Sequence, residues 1–166
     1  MTEEEGEKTI FGISFVENNK DNISLIINGK ESELVSESFL KEGENNITIR
    51  IKNTLTNLSE MFCFCESLYN IEELKYLNTN YCTNFHSMFS CCSSLSDIKP
   101  LEKWNVSNGA NFSYMFFGCS SLLNIKPLEK WNVSNGTDFS FMFSLCSLLS
   151  DKKPLEKWKL LNNNFK

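Results

Sequence analysis

Apolar residues recur along the chain at a fixed interval of 27 residues, starting near residue 61. The dipeptide Met-Phe marks this interval, and residues 99–109 and 126–136 share the identical sequence KPLEKWNVSNG. Such periodicity is typical of stacked repeats, because one unit cannot bury its apolar side alone. The clearest columns are Met61, Met88, Met115 and Met142; Cys65, Cys92, Cys119 and Cys146; Leu68, Leu95, Leu122 and Leu149; and Trp104, Trp131 and Trp158.

Within one repeat, the apolar spacing predicts a helix followed by a short strand. The apolar residues between Phe112 and Cys119 lie at i, i+3, i+4 and i+7, which indicates a two-turn helix. A strand is predicted over residues 123–126, ending at Pro127 because proline cannot donate to a ladder. Neighbouring helices would lie about 8 to 10 Å apart, beyond the disulfide reach of about 7 Å between Cα atoms. The column cysteines are therefore predicted to be buried, unlinked thiols.

Residues 9–52 lack the period and alternate as short strands do. The alternation over residues 23–27 leads into Asn28-Gly29, a strong hairpin signal, and the return strand is predicted over residues 33–37. Residues 47–51 alternate between isoleucine and polar side chains, which predicts a further strand. We expect a β-rich cap on the first repeat, because an open end would expose an apolar core and an unpaired edge.

The string GCSSLLNIKPLEKWNVSNGTDFSFMF resembles the BspA-like leucine-rich repeat, whose units read MFxGCSSLxxLxLSxWxxSNVTxMSxMF. The resemblance begins near Asn57 and covers roughly two-thirds of the chain. In this chain one residue is added beside each proline, so that L-x-x-L-x-L becomes L-x-x-I-x-x-L. The resemblance implies an α/β solenoid, a right-handed leucine-rich-repeat coil of short helices and short strands with an amino-terminal β-rich cap.

Three regions are expected from these patterns. They are an acidic tail over residues 1–8, a β-rich amino-terminal cap over residues 9–54, and about four repeats over residues 55–166, the last of them incomplete or capping. The last repeat becomes more polar, for instance at Lys152, where the preceding repeats have isoleucine. A fragment of a longer array would show the same changes.

Composition and charge narrow the partner classes. With 41% hydrophobic and 22% charged residues, the chain is of the ordinary globular type. The formal net charge of -5 disfavours nucleic acid and anionic membranes as partners. No apolar run approaches a membrane span, and the start Met1-Thr2-Glu3-Glu4-Glu5 is unlike a signal peptide. We expect a cytoplasmic protein with reduced thiols and no membrane insertion, or a cell-surface protein if the chain is a fragment.

Seven cysteines and one histidine raise the question of a metal or redox site. Apolar packing is favoured for the column cysteines, because free cysteine is among the most buried residue types. Several residues that break column identity could supply zinc ligands, although their spacing fits no structural zinc site well. They are Cys63, Cys82, Cys91 and His86. No catalytic motif is present, so neither an enzyme nor a bound cofactor or metal is expected.

The tryptophan column, Trp104, Trp131 and Trp158, allows two interpretations. The indole faces could form an aromatic strip for sugars. The favoured interpretation is a stacked corner whose N–H groups bond to backbone or water.

The favoured function is a non-catalytic leucine-rich-repeat module that mediates protein–protein interaction. Residues that vary from repeat to repeat are not required by stacking, and they are therefore the candidates for partner contacts. They are Phe117, Tyr114, Leu123, Tyr69 and Phe64. The alternative is a cell-surface adhesin or carbohydrate-binding repeat protein. The sequence leaves the partner and the oligomeric state open.

Overall fold

The computed structural model describes residues 5–156 and residue 158. Its amino-terminal part consists of two antiparallel sheets and one helix. In chain order the elements are strand β1 (Glu5–Thr9), helix α1 (Ile13–Asn19), and strands β2 (Ile23–Ile27), β3 (Lys30–Glu33), β4 (Glu37–Lys41) and β5 (Ile47–Ile51). Strands β1 and β4 form one sheet, and the other has the order β3-β2-β5.

The predicted hairpin is present, and its return strand is shifted. Asn28 and Gly29 both have positive φ, 49° and 85°, as a two-residue turn of this twist requires. The return strand β3 therefore starts directly at Lys30 and pairs with β2. Residues 37–41 pair instead with β1, which lies partly in the segment predicted as an acidic tail. Met1 to Glu4 of that tail lie outside the described residues.

The predicted strand over residues 47–51 is confirmed as β5, whereas helix α1 was not predicted. Helix α1 carries the Phe15 ring into the core, where 1% of the side-chain surface remains exposed. Seven residues are too few to show a clear helical period in the sequence.

The prediction of an α/β solenoid, a right-handed coil of short helices and short strands, is wrong. Residues 52–155 contain neither an α-helix nor a β-strand; isolated 3-10 helices stand there instead, at Glu72–Tyr76, Lys99–Lys103, Lys126–Lys130 and Lys153–Leu155. The strand predicted over residues 123–126 is absent. The described structure is a small β-rich unit with antiparallel sheets, one α-helix and single 3-10 turns.

Hydrogen bonding explains why the predicted helix over residues 112–119 does not form. We call residues 58–65, 85–92, 112–119 and 139–146 the four ladder segments. In the first three segments, the N–H groups of alternate residues donate to carbonyl oxygens 26 residues later, over N···O distances of 2.7 to 3.0 Å. Intervening N–H groups close turns onto the residue three positions earlier. An α-helix would need every N–H to reach four residues back.

Left-handed residues occur at every fourth position of these segments. In the third segment they are Tyr114 and Gly118, with φ of 58° and 70°. Two such residues reverse the backbone before a helix can continue. The side chains between them still face one interior, so the apolar spacing imitates that of a helix.

Equivalent aromatic rings stack between consecutive segments. Phe89, Phe116 and Phe143 form one stack with centroid separations of 5.5 Å, and Phe85 and Phe112 lie 5.2 Å apart in another. Neighbouring repeats are therefore much closer than the 8 to 10 Å expected for packed helices. This short repeat distance follows from the direct hydrogen bonds between the segments.

The amino-terminal part covers the first ladder segment. The Phe11 ring lies 5.6 Å from that of Phe62 and extends the phenylalanine stack. The N–H of Gly12 is 3.2 Å from the carbonyl oxygen of Glu60 and 3.3 Å from that of Met61. Glycine is required at position 12, because a Cβ there would lie 2.1 Å from the Glu60 oxygen.

We predict that Gly12→Ala lowers the free energy of unfolding by about 1 to 3 kcal/mol, since the added methyl group must displace backbone. Urea unfolding measures the change. Gly6→Ala is the matched control, because a Cβ at Gly6 meets no atom within 4 Å. Equal effects of the two substitutions would contradict the close approach at Gly12.

Candidate protein-binding surface

The cysteine column is part of the repeat stack. The Sγ atoms of Cys92, Cys119 and Cys146 donate to the carbonyl oxygens of Phe62, Phe89 and Phe116, over 3.0, 3.1 and 3.0 Å respectively. All seven cysteines are unlinked, and all but Cys91 are buried. The predicted buried, unlinked column thiols are confirmed. Hydrogen bonds to backbone, rather than the distance between helices, hold these thiols in place.

Burial keeps these thiols protonated. Desolvation raises the pKa of Cys65 to about 12 and is the main cause that raises the pKa of Cys146 to about 11. Desolvation is also the largest cause of the raised pKa of Cys92 and Cys119. A thiol that stays protonated is a poor nucleophile and a poor metal ligand.

The zinc candidates are not gathered into a metal site. Within residues 5–156 and at residue 158, no group of three or more His, Cys, Asp or Glu side chains is placed to hold a metal ion. Cys82 is buried and donates its Sγ hydrogen to the carbonyl oxygen of Leu55, at 3.3 Å. This thiol therefore joins neighbouring repeats, as the column thiols do.

His86 links two ladder segments through serine hydroxyl groups. Its Nδ1 is 2.8 Å from the Ser113 Oγ, and its Nε2 is 3.2 Å from the Ser87 Oγ. Ser113 donates its hydroxyl hydrogen to Asn111, so His86 Nδ1–H donates to Ser113. The adjacent N–H groups of Ser87 and Met88 both donate to backbone carbonyls. They are thus not free to stabilise an oxyanion beside Ser87.

The tryptophan column is buried, with exposed fractions of 5%, 4% and 1% for Trp104, Trp131 and Trp158. The Nε1–H groups of Trp104 and Trp131 donate to the carbonyl oxygens of Leu74 and Leu101. The favoured interpretation as a stacked corner is confirmed. The indole faces stack on each other, so they offer no open strip to a sugar.

A cluster of aromatic rings lies on the outer side of the third and fourth ladder segments. The Tyr114 ring is 5.0 Å from Phe141 and 5.5 Å from Phe117, and it meets the His86 ring edge-on at 5.9 Å. We call Tyr114, Phe117 and Phe141 the aromatic cluster. Phe141 is 54% exposed, while the other two rings are half-buried. The cluster therefore presents one open aromatic side chain on a supported base.

Backbone conformation turns Phe141 outward at an energetic cost. Phe141 has φ of 58°, and Leu145, four residues later, has φ of 62°. Left-handed backbone costs a non-glycine residue of this kind about 1 to 2 kcal/mol. Both side chains are nevertheless large and apolar, and Leu145 is 69% exposed. Folding alone favours glycine or asparagine at these positions, as at Gly118.

The structure brings together two of the five candidates proposed from the sequence. Tyr114 and Phe117 are in contact, and Phe117 is half-buried against Tyr114 rather than freely exposed. Leu123 and Phe64 are exposed, but no ring contact joins Phe64 to the cluster. The Tyr69 hydroxyl donates to the Glu44 carboxylate at 2.6 Å and so faces the amino-terminal part.

Sequence reasoning missed Phe141, the most exposed member of the cluster. The signal was present, because its column reads Glu60, Ser87, Tyr114 and Phe141 and thus varies from repeat to repeat. Variation alone does not show which columns face outward. The left-handed φ shared by these residues gives that information.

We predict that a maleimide labels the native protein at Cys91 alone, since the other six cysteines are buried. All seven should react in denaturant. Mass spectrometry after labelling at pH 8 counts the adducts, and Cys91→Ser is the control, which should give no native labelling. Native labelling of a column cysteine would contradict the packing described above.

Stability should also fall in alkali. Native thiol pKa values are raised above the ordinary 9.0, so the native state holds protons that the unfolded chain releases. The contribution is fully present below about pH 9 and is lost as the pH rises through about 11 to 12. Urea unfolding between pH 8 and pH 11 measures the loss. Cys146→Ala should reduce the slope, and an unchanged slope would contradict the raised thiol pKa.

Of the chain segments in residues 5–156 and residue 158, no helix has both the length and the apolar character needed to cross a membrane.

Comparison with known proteins gives one family. Residues 39–164 match the family described as "Mycoplasma protein of unknown function, DUF285". The match starts within strand β4 and includes all four ladder segments. Neither a curated protein nor a solved structure matches the chain. Because the matched residues make up more than half of its length, the chain belongs to the DUF285 family.

Proposed function

We propose that this chain is a non-catalytic repeat protein whose aromatic cluster binds another protein. The observation that carries the proposal is Phe141, an exposed ring held in left-handed backbone and supported by Tyr114 at 5.0 Å. Aromatic side chains on a packed base are typical anchors of protein interfaces. A partner would bury the open face of Phe141 and the edges of Tyr114 and Phe117.

The repeat sequence supports a recognition role. Repeat proteins present extended surfaces, and the resemblance to the BspA-like leucine-rich repeat suggests a module of that type. Fold analogy does not identify a function, so the proposal depends on the aromatic cluster itself. The unlinked cysteines suit a reducing compartment such as the cytoplasm, where we propose that the protein acts.

The adhesin or carbohydrate-binding alternative has less support from the described residues. Its clearest candidate feature was the tryptophan column, and these indoles are buried within the stack. The aromatic cluster could still contact a sugar face, and a binding assay with glycans distinguishes this from a protein partner.

We predict that a photo-crosslinking phenylalanine analogue at position 141 forms an adduct with a specific protein. The same analogue at Phe39 is the matched control, because Phe39 is also exposed but lies on strand β4. Mass spectrometry identifies the adduct, and binding is then measured with the purified partner. Identical adducts from both positions, or binding of glycans alone, would overturn the proposal.

Phe141→Asn should weaken binding of the purified partner at least tenfold, or about 1.4 kcal/mol. Asparagine tolerates left-handed backbone, so the free energy of unfolding should not decrease. Phe39→Asn should leave the affinity unchanged. An unchanged affinity for Phe141→Asn would place the interface elsewhere on the molecule.

A further inference from the structure

The edge formed by the fourth ladder segment differs from the inner edges in its hydrogen bonding. In the first three segments, alternate N–H groups donate to the segment that follows. At the fourth, no acceptor within residues 5–156 or at residue 158 bonds to the N–H groups of Phe141, Phe143 and Leu145. We call these three groups the donor edge.

Apolar surface accompanies the donor edge. The Phe143 ring stacks on Phe116 at 5.5 Å on its inner side. Its outer side borders a shallow depression, and Leu145 beyond it is largely exposed. The depression is lined by Phe139, Phe141, Met142, Phe143, Lys152 and Leu155.

We propose that the donor edge binds a polypeptide segment with the pattern of a ladder segment. Such a segment offers carbonyl oxygens at alternate residues, a Met-Phe pair and a cysteine three residues after the phenylalanine. The proposal rests on three equivalent interfaces inside the chain, where the same edge is covered in the same way each time. The occupant therefore continues an interface whose chemistry is already known.

The inner interfaces show what this segment would do at the donor edge. Its carbonyl oxygens would accept from Phe141, Phe143 and Leu145, as those of Ser140, Met142 and Ser144 accept from the third segment. Its phenylalanine ring would extend the stack that ends at Phe143. Its thiol would donate to the Phe143 carbonyl oxygen, in the way Cys146 donates to Phe116.

A second copy of this chain does not fit as the occupant. Two donor edges brought together would place N–H groups against N–H groups, because all the bonds of the ladder run in one direction. The opposite edge of a second copy begins at the first ladder segment, where the Phe11 ring and the Gly12 N–H already lie. The acceptors must therefore come from a different polypeptide segment.

The donor edge is distinct from the aromatic cluster in how it binds. The cluster acts through exposed side chains, whereas the edge acts through backbone N–H groups and the ring of Phe143. Phe141→Asn removes the ring but keeps the N–H of residue 141. This variant therefore separates a failure of one proposal from a failure of the other.

The test uses the full chain and a synthetic peptide of residues 106–122, which contains the third ladder segment. Amide hydrogen exchange is followed by NMR. We expect the amides of Phe141, Phe143 and Leu145 to exchange fast in the free protein and at least tenfold more slowly with saturating peptide. The amides of Tyr114 and Phe116, already bonded to the next segment, should be slow in both.

A peptide carrying Phe116→Ala is the matched control and should bind at least tenfold more weakly by fluorescence anisotropy. Peptide binding that leaves the three amides fast, or no binding at millimolar peptide, would overturn the proposal. Slow exchange in the free protein would also overturn it: if independent of protein concentration, the chain covers its own edge, and if dependent on it, a second copy is the occupant.

Discussion

The backbone hydrogen bonds between ladder segments are the interaction on which the repeat region depends. Each such segment divides its N–H groups between two uses, and the alternate ones reach the next repeat over 2.7 to 3.0 Å. This direct bonding brings equivalent phenylalanine rings within 5.2 to 5.6 Å of each other. Side chains at those positions must therefore tolerate copies of themselves as neighbours. The 27-residue period is the result visible in the sequence.

Side-chain hydrogen bonds repeat with the backbone and fill the acceptors that it leaves. Buried tryptophan N–H groups and cysteine thiols donate to carbonyl oxygens of the preceding repeat, 30 residues earlier. Asn108 and Asn135 likewise donate to carbonyl oxygens of Asn80 and Ser107, 28 residues earlier. A buried carbonyl without a donor would cost roughly 1 to 3 kcal/mol. The polar columns are thus as necessary to the stack as the apolar ones.

The sequence predicted which residues face the interior better than it predicted their backbone. Column residues such as Met115 and Phe116 are buried, and the Asn28-Gly29 hairpin and strand β5 are present. The helix over residues 112–119 failed because left-handed residues at every fourth position give the same apolar spacing as a helix. Of the two in that segment, only Gly118 is of a type that suggests positive φ.

The same limit explains the partial success at the candidate surface. Column variation identified Tyr114 and Phe117, which are in contact, but it gave equal weight to Tyr69 and Phe64 in other places. Contact among variable residues depends on which repeats they occupy and on the outward direction set by φ. Phe141 could be recognised only when both were known.

The direction of the ladder bonds also determines how the molecule would respond to tension. Each segment is bonded to the next by hydrogen bonds that point from one repeat to its neighbour. A pull along this direction loads one interface at a time, and a pull across it loads all the bonds of an interface together. Resistance to stretching should therefore be anisotropic, weak along the succession of repeats and strong across it, as in a sheet that is unzipped or sheared.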